Sequence, residues 1–261
     1  MITFYTIVKG FEQKYDRIQR NAIGSWLLVH PDAQVVLFGE AEPGAKAFAE
    51  ACDLTILPLD RNRDGVPILR SAIEQIDEVA RHEIRCFINA DIIVLPGFLQ
   101  AVQFVAEQFP TFLVSARRWD IDLREIMEFN DGWDERLRQM VDERGTLRRK
   151  QAIDVFCTRG VDWGTVPEFA IGRSSYDNWL VWKALKAGAA FVDLTPTVMV
   201  VHQNHGGPRS TEAEKLKARA LYCESVDVEH KRGFQDAIYR LEEGEQSYEL
   251  VEIRHTKRAS D

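Results

Sequence analysis

The sequence is poor in cysteine, and the spacing of its cysteines excludes the frameworks that thiols usually build. Among 261 residues there are four, Cys52, Cys86, Cys157 and Cys223, and no two of them form a Cys-X-X-Cys pair. A disulfide scaffold or a cysteine zinc site needs closely spaced thiols. We therefore expect reduced thiols and a cytoplasmic protein.

Long apolar runs and glycine-rich phosphate loops are also missing. No stretch reaches the roughly 18 apolar residues of a membrane-spanning helix, and the chain enters a strand-like run at residue 2 without a charged start before an apolar helix. We expect neither a membrane span nor a leader peptide. Because Gly-X-Gly-X-X-Gly and Gly-Lys-Ser/Thr are both absent, a dinucleotide site and a P-loop are not expected.

An excess of positive charge is the third feature that the sequence lacks. There are 33 Lys and Arg residues against 41 Asp and Glu, which gives a formal net charge of -8. A general nucleic-acid surface needs a dense basic patch, so we expect no nucleic-acid partner. A basic run within residues 136–150 has two interpretations, a site for an anionic acceptor or the solvated face of a charged helix.

What is present is an alternation of apolar strands and amphipathic helices. Strands are predicted at residues 2–8, 34–38, 54–59 and 85–95, and helices at 16–29, 43–51 and 67–81. This order favours right-handed crossovers and a mostly parallel sheet flanked by helices, an α/β fold. We predict one main domain over residues 1–210, a helical insertion at 123–151 and a C-terminal helical extension at 211–261. That extension is expected to be helical to about residue 243 and frayed at 255–261.

Two polar residues interrupt the most apolar of these strands. Asn89 and Asp91 lie inside residues 85–95, where burying an unpaired carboxylate would cost several kcal/mol. They either mark a site or cap a neighbouring turn. In a parallel sheet the carboxyl ends of the strands face one crevice, which would gather Asn89 and Asp91 with Lys9 and Asp60.

A second polar cluster follows a late apolar strand. The sequence His202-Gln203-Asn204-His205 ends the run at residues 197–201. Carboxylate, amide and imidazole ligands together suit Mn²⁺, and Mg²⁺ is a poorer match once imidazole takes part. The alternative is that the paired histidines cap the strand or hold a loop.

Three segments in this order give residues 2–205 a specific resemblance to a GT-A glycosyltransferase of the family-2-like kind. The segments are Asn89-Ala90-Asp91-Ile92-Ile93, which resembles an Asp-X-Asp motif, Gly172-Arg173-Ser174-Ser175-Tyr176-Asp177-Asn178-Trp179, and His202-Gln203-Asn204-His205. The resemblance implies transfer of a sugar from a nucleotide-diphosphate sugar to a glycan, glycolipid or small-molecule acceptor. It implies a metal, Mn²⁺ or Mg²⁺, on Asp91 with His202 or His205. Asn89 departs from the motif, because it replaces the first aspartate.

The resemblance also implies roles for individual residues. Asp177 matches the general base of inverting members, although Ser174-X-X-Asp177 is also a helix-capping spacing. The residues expected to bind the nucleotide are Thr6, Val8, Lys9, Asp60, Arg70, Asn89 and Asp91. The residues expected to contact the donor sugar are Arg117, Arg118, Trp119, Asp120 and Asp154. Competing interpretations are a surface ion pair for Arg70 and a structural ion pair between Arg118 and Asp120.

Two other functions compete with sugar transfer. A degenerate domain that binds a sugar nucleotide without turnover is compatible with Asn89. A sugar nucleotidyltransferase shares the sheet topology but carries a glycine-rich loop after the first strand, which Val8-Lys9-Gly10-Phe11 does not supply.

Overall fold

The computed structural model describes residues 1–150, 152–173, 175–206, 210–228, 231–245 and 247–253. Strands and helices alternate through most of this chain. The strands are β1 (Ile2–Ile7), β2 (Gln34–Phe38), β3 (Thr55–Leu57), β4 (Ile84–Ile88), β5 (Ile92–Val94), β6 (Phe112–Ser115), β7 (Arg118–Ile121), β8 (Thr146–Leu147), β9 (Val155–Arg159), β10 (Ala190–Asp193), β11 (Val200–Gln203), β12 (Tyr239–Glu243) and β13 (Tyr248–Glu252). The helices are α1 (Gln13–Leu27), α2 (Ala45–Ala51), α3 (Leu69–Val79), α4 (Phe98–Gln108), α5 (Trp133–Arg144), α6 (Tyr176–Lys186) and α7 (Glu212–Ser225).

A nine-stranded sheet forms the centre of the molecule, in the order β13-β12-β10-β6-β9-β4-β1-β2-β3. β4, β1, β2 and β3 are parallel neighbours, as are β6, β10 and β12. β9 runs antiparallel between β4 and β6, and β13 runs antiparallel to β12 at the edge. The predicted α/β fold with a mostly parallel sheet is therefore confirmed.

A smaller sheet has the order β5-β11-β7-β8 and lies beside the first. β11 pairs antiparallel with β5 and parallel with β7. Because β5 follows β4 after a three-residue turn, the chain passes there directly from the large sheet into the small one. This passage is where Asn89 and Asp91 lie.

Apolar side chains cover both faces of the large sheet. Residues of α1, α2 and α4 pack on one face, with Trp26 stacked on Phe4 at 5.9 Å between ring centroids. Residues of α3 and α6 pack on the other face, with Trp179 fully buried. A third, smaller cluster under α5 contains Leu137 and Val141. The sheet is thus the middle layer of three, and its polar ends are left to form a site.

Two sequence predictions differ from this architecture. The strand predicted at 85–95 is two strands in different sheets, because a turn at residues 89–91 interrupts the apolar run and passes the chain from one sheet to the other. The helix predicted from residue 211 to about 243 ends at Ser225. β12 and β13 follow it and extend the large sheet through pairing with β10.

The predicted insertion contains a helix, α5, together with the short strand β8. Its last residue, Gln151, and the tail at 255–261 lie outside the described residues. The boundary at residue 210 stays a prediction, although the large sheet takes strands from both sides of it. Within the described part of the chain, every helix is too short or too polar to cross a bilayer.

Candidate functional site

The turn between β4 and β5 presents Asp91 at the junction of the two sheets. The N–H of Ile92 donates to the carbonyl of Asn89 at 3.0 Å, which closes the turn. The N–H of Asn89 donates to the carbonyl of Asp154 at 3.0 Å and ties the turn to β9. The backbone of Asn89 is therefore held both within the turn and by the residue that precedes β9.

Strand β11 and the residues after it bring two histidines to Asp91. Oδ2 of Asp91 lies 2.9 Å from Nε2 of His205 and 3.5 Å from Nε2 of His202. One ligand atom from each of the three residues lies within 4.8 Å of the others. The three side chains, brought together from positions 91, 202 and 205, form what we call the Asp-His-His cluster.

The cluster has the ligand atoms that a divalent cation requires, and one of its oxygen atoms has no other partner in the part of the chain that the structure describes. Oδ1 of Asp91 is buried and has no hydrogen-bond partner among the described residues. A buried carboxylate oxygen left in that state costs free energy unless a cation or a ligand reaches it. Two imidazoles and a carboxylate are ligands that Mn²⁺ accepts, so the residues fit a resident metal ion.

Charges within the cluster shift the acidity of its members. Burial would raise the pKa of Asp91, but the adjacent His202 and His205 hold it well below its usual range. Burial would lower the pKa of His202, but Asp120 and Asp91 raise it to about 9. The field of the carboxylates at this point therefore favours a positive charge.

A second layer of charged residues supports His202 from β7. Nδ1 of His202 lies 3.1 Å from Oδ1 of Asp120, which leaves Nε2 facing Asp91. Arg118 contacts Asp120 at 2.9 Å and Asp154 at 2.7 Å, and its side chain is only 14% exposed. A carboxylate behind the ligand imidazole fixes ring orientation and raises ligand basicity in metal sites. The structural ion pair considered for Arg118 and Asp120 is thus present, and it adjoins the cluster.

Asn89 belongs to this second layer. Its Nδ2 donates to Oδ1 of Asp154 at 2.7 Å, and the Tyr176 hydroxyl donates to its Oδ1 at 3.4 Å. Burial raises the pKa of the Asp154 carboxyl, against the opposing effect of Arg118. Asn89 therefore bridges the turn to α6.

A cavity of about 400 Å³ opens next to the cluster. Asn89, Asp91 and His205 line it on one side and Val8 and Lys9 on another. Further lining residues are Tyr15, Gln19, Glu42, Arg61, Ile171, Gly172, Arg173 and Tyr176. Its volume is in the range of pockets that hold small ligands.

Two lysines lie beside Tyr15, an aromatic residue that lines this cavity. Nζ of Lys9 lies 4.4 Å from the ring centroid of Tyr15, and Nζ of Lys14 lies 5.2 Å from it. The Tyr15 ring meets the His205 ring edge to face at 5.6 Å between centroids. Positive charge is therefore available within reach of the cluster, as an anionic ligand requires.

The predicted base, Asp177, lies in the first turn of α6. The N-cap of this helix is Ser175 in the left-handed conformation, φ 89°, and its side chain does not cap the helix. Ser174, the residue of the alternative capping interpretation, lies outside the described residues. Burial raises the pKa of the Asp177 carboxyl to about 6, with Asp154 adding to the rise and backbone N–H groups and Lys231 opposing it.

Some predicted nucleotide-binding residues lie away from the cavity wall as described. Thr6 is fully buried within β1 and Asp60 is exposed, and neither lines the cavity. Arg70 pairs with Glu168 at 2.9 Å, which is the surface ion pair considered from the sequence. The nucleotide-binding role of these three residues stays a prediction.

The remaining predicted sugar-binding residues have contacts of their own. Nε and Nη2 of Arg117 donate to the carbonyl of Arg148 at 2.9 and 2.6 Å. Trp119 packs against the small apolar cluster under α5. Their contact with a donor sugar stays a prediction, as does that of Arg118, Asp120 and Asp154.

Sequence reasoning missed several residues of the cavity wall. Arg173 and Tyr176 lie within the segment that carries the resemblance, yet no pattern assigned them a role. Tyr15 is separated from Lys9 by five residues, and an aromatic residue that begins a helix after a strand end is the signal that indicates it. Arg61 contacts Glu42 across the cavity mouth, and only the tertiary fold places it there.

No family model matches the sequence, and no curated protein is similar to it at the level of sequence. Solved structures are similar in fold. S. aureus TarS 1-349 in complex with UDP-GlcNAc is 11% identical, with a TM-score of 0.58 over 87% of this chain and 68% of that one. S. aureus TarS is 12% identical, with a TM-score of 0.50 over 86% of this chain.

The length of chain that is matched differs among the TarS structures. This chain spans 43% of the longer TarS structure. It spans 38% of the UDP complex of TarS 1-349, where the TM-score is 0.38 over 49% of this chain at 12% identity. At these identities the likeness is one of fold. The chain has the GT-A fold, the fold of TarS, as the sequence resemblance predicts.

Proposed function

We propose that this protein is a glycosyltransferase that moves a sugar from a nucleotide-diphosphate sugar to an acceptor hydroxyl. The observation that carries the proposal is the convergence of Asp91, His202 and His205 in one cluster, two of whose members, Asp91 and His205, line a cavity of ligand size. The cavity lies at the carboxyl ends of β1 and β4, the edge where open parallel sheets bind their ligands. The likeness of fold to a protein solved with UDP-GlcNAc supports the same conclusion.

The Asp-His-His cluster would hold one divalent cation, Mn²⁺ by its ligand chemistry and Mg²⁺ as the poorer match. When bound, such an ion neutralises the charge that develops on a departing diphosphate. Lys9, which lines the cavity, and Lys14, which lies beside the lining residue Tyr15, would add positive charge near the phosphates of a donor. Asp120 orients His202 for this role.

Asp177 would act as the general base of an inverting transfer. A base must be ionised to accept the proton of the acceptor hydroxyl, and the pKa of Asp177, raised to about 6 by burial, leaves it ionised near neutral pH and basic enough to act. Its carboxylate has an oxygen, Oδ1, that is buried without a hydrogen-bond partner among the described residues. An acceptor hydroxyl would supply that partner.

The donor nucleotide is proposed to be a uridine diphosphate, by analogy with TarS, whose solved complexes contain UDP and UDP-GlcNAc. The acceptor is proposed to be a glycan, a glycolipid or a small molecule that carries a hydroxyl group. Action in the cytoplasm is proposed from the wide spacing of the four cysteines, which favours reduced thiols.

Isothermal titration of the protein with UDP and GDP, with Mn²⁺ and then with EDTA, tests the proposal. We expect UDP to bind in the presence of Mn²⁺ and to lose most of its affinity when EDTA removes the ion. Binding of neither nucleotide, or equal binding with and without the ion, would contradict a metal-dependent transferase. Hydrolysis or transfer from UDP-GlcNAc then reports turnover.

A second candidate is a domain that binds a sugar nucleotide without turnover. The amide of Asn89 stands where an Asp-X-Asp motif has its first carboxylate, and this amide is already engaged by Asp154. This candidate predicts that the protein binds a nucleotide but transfers sugar to no acceptor. The parent protein and Asp177→Asn would then both form no product.

A further inference from the structure

Two buried amides, Asn21 of α1 and Gln203 of β11, form a connected pair directly behind the Asp-His-His cluster. Both are fully buried. Nδ2 of Asn21 donates to Oε1 of Gln203 at 2.9 Å. Side chains alternate along a strand, so Gln203 faces α1 while His202, its neighbour, faces Asp91 and Asp120.

Gln203 holds the backbone of Asp91 from two directions. Its backbone N–H donates to the Asp91 carbonyl at 3.1 Å, and its side-chain Nε2 donates to the same oxygen at 3.4 Å. Nε2 also donates to the carbonyl of Ile18 at 2.8 Å, so the one amide ties Asp91 to α1. Asp91 cannot shift toward or away from the histidines without breaking these contacts.

Asn21 continues the chain of hydrogen bonds to the segment that precedes α5. Its Nδ2 donates to the carbonyl of Glu125 at 3.1 Å, and its Oδ1 accepts from the N–H of Met127 at 2.8 Å. Every N–H of the two side-chain amides is thus used, and each carbonyl oxygen accepts a bond. A fully satisfied buried polar network specifies one arrangement, because any displacement leaves a buried group without a partner.

We infer that Asn21 and Gln203 are positioning residues that fix Asp91 relative to His202 and His205 and so set the affinity of the cluster for its cation. The inference rests on the proposed function, since it concerns the metal that the function requires. Neither amide touches the cation position itself. Their effect passes through the Asp91 backbone, which Gln203 contacts directly and Asn21 contacts through Gln203.

The experiment measures Mn²⁺ affinity, by electron paramagnetic resonance of the free ion, in the parent protein and in Gln203→Leu. We expect Gln203→Leu to bind Mn²⁺ about 10- to 100-fold more weakly, the loss typical of a supporting residue behind a metal ligand. Asn21→Ala is expected to lose affinity less, and the double variant no more than Gln203→Leu alone, because the two act through one chain of contacts.

Gln34→Leu is the matched control. Gln34 is a buried glutamine on β2 whose Oε1 accepts from Thr3 at 2.9 Å and whose Nε2 donates to the carbonyl of Val79 at 2.9 Å. Its loss leaves buried groups unpaired as in Gln203→Leu, but none of its contacts is to the cluster. We expect Gln34→Leu to lower the melting temperature and to leave Mn²⁺ affinity unchanged.

The outcomes separate this inference from the function that it rests on. If the parent protein binds Mn²⁺ and folded Gln203→Leu binds it equally well, the positioning role is wrong and the proposed function is untouched. If the parent protein binds no Mn²⁺, the metal-dependent function fails first and the inference with it. Should Gln203→Leu not fold, the Mn²⁺ affinity of Asn21→Ala decides in its place, a loss supporting the inference and parent-like affinity contradicting it.

Discussion

The two sheets of the molecule differ in what their strands bury. The nine-stranded sheet is covered on both faces by apolar side chains, and its buried polar residues are few and mostly hydroxyls and amides. The four-stranded sheet carries Arg118 and Asp120 on β7 and His202 on the neighbouring β11. Asp120 lies 2.9 Å from Arg118 and 3.1 Å from His202. The residues that stabilise the fold and those assigned to the chemistry thus lie mainly in different sheets. Substitutions in the large sheet should therefore lower stability, and substitutions at the cluster should lower turnover.

The largest effect is expected from Asp91→Asn. The amide removes the negative charge that the cation needs, while its size preserves the turn. A bound metal ion supplies several kcal/mol of transition-state stabilisation, so we expect turnover to fall about 1000-fold or more. Steady-state transfer from UDP-GlcNAc and Mn²⁺ titration measure it, and retained turnover with retained Mn²⁺ binding would break the assignment of the chemistry to the small sheet.

Asp177→Asn is expected to lower turnover by about 100- to 10,000-fold while leaving UDP affinity unchanged. The activity of the parent protein should rise with pH through about 6, because the base acts only when ionised. Rate measurements between pH 5 and 8 and UDP titration test both statements. If the variant has the rate of the parent protein, Asp177 is not the base, and stabilising the N-terminus of α6 is its only remaining role.

The stability of the same variant tests the role of Asp177 independently of activity. The folded-state pKa of about 6 lies above the ordinary value of 3.8, so the folded protein binds this proton more tightly than the unfolded chain does. Ionisation of Asp177 therefore reduces stability progressively as pH rises from about 4 to about 6. Asp177→Asn should raise the melting temperature above pH 6, by the equivalent of up to about 3 kcal/mol. A lower melting temperature at pH 7.5 would favour the capping interpretation instead.

Phe4→Ala tests the other side of the comparison. Phe4 is fully buried in β1 and packs on Trp26 and on Phe98, at 5.9 and 6.1 Å between ring centroids. Truncation should cost about 3 to 5 kcal/mol of unfolding free energy. Below the melting temperature, turnover per folded molecule should stay within about twofold of the parent, as measured by denaturation in urea and by activity at low temperature. A large loss of turnover in folded protein would show that the two sheets are not separable.

A matched pair of arginines on strands compares a buried ion pair with an exposed one, and the exposed one is expected to give the smallest effect of all. Arg118 in β7 and Arg240 in β12 each contact a carboxylate two residues along, at 2.9 and 2.7 Å, with side chains 14% and 45% exposed. Arg118→Met removes the guanidinium that both Asp120 and Asp154 contact, which leaves these two buried carboxylates poorly compensated, and should cost about 3 to 5 kcal/mol. Arg240→Met should change stability by less than about 1 kcal/mol. Urea denaturation measures both losses of unfolding free energy. Equal losses for Arg118→Met and Arg240→Met would contradict this difference between the two sheets.

How much of this could be predicted from the sequence differs between fold and site. The first three strands and their helices follow from apolar periodicity, which is a local signal. The sequence does not reveal the turn at residues 89–91, because apolar residues on both sides of it are equally compatible with one long strand. β12 falls inside the stretch predicted to be helical to about residue 243, and β13, which lies beyond that stretch, is not predicted as a strand. Both are rich in charged residues, and only the pairing of β12 with β10 and of β13 with β12 makes them strands.

The site divides in the same way. Asp91, His202 and His205 could be found because each is a polar exception next to an apolar strand. The supporting role of Asn21 and Gln203 could not be found, since an amide on a helix, or one between polar residues after an apolar run, resembles a solvated position until the fold buries it. The cavity wall depends on groups that only tertiary structure brings together, such as Tyr15, Arg61 and Arg173.

The central claim is that one cation binds between Asp91, His202 and His205. Anomalous diffraction from crystals grown with Mn²⁺ and UDP tests it most directly, with data on both sides of the manganese absorption edge. We expect a single strong anomalous peak about 2.0 to 2.3 Å from a carboxylate oxygen of Asp91 and from a nitrogen of at least one of the two histidines. A cluster without a peak at saturating Mn²⁺, or manganese bound only elsewhere, would contradict it.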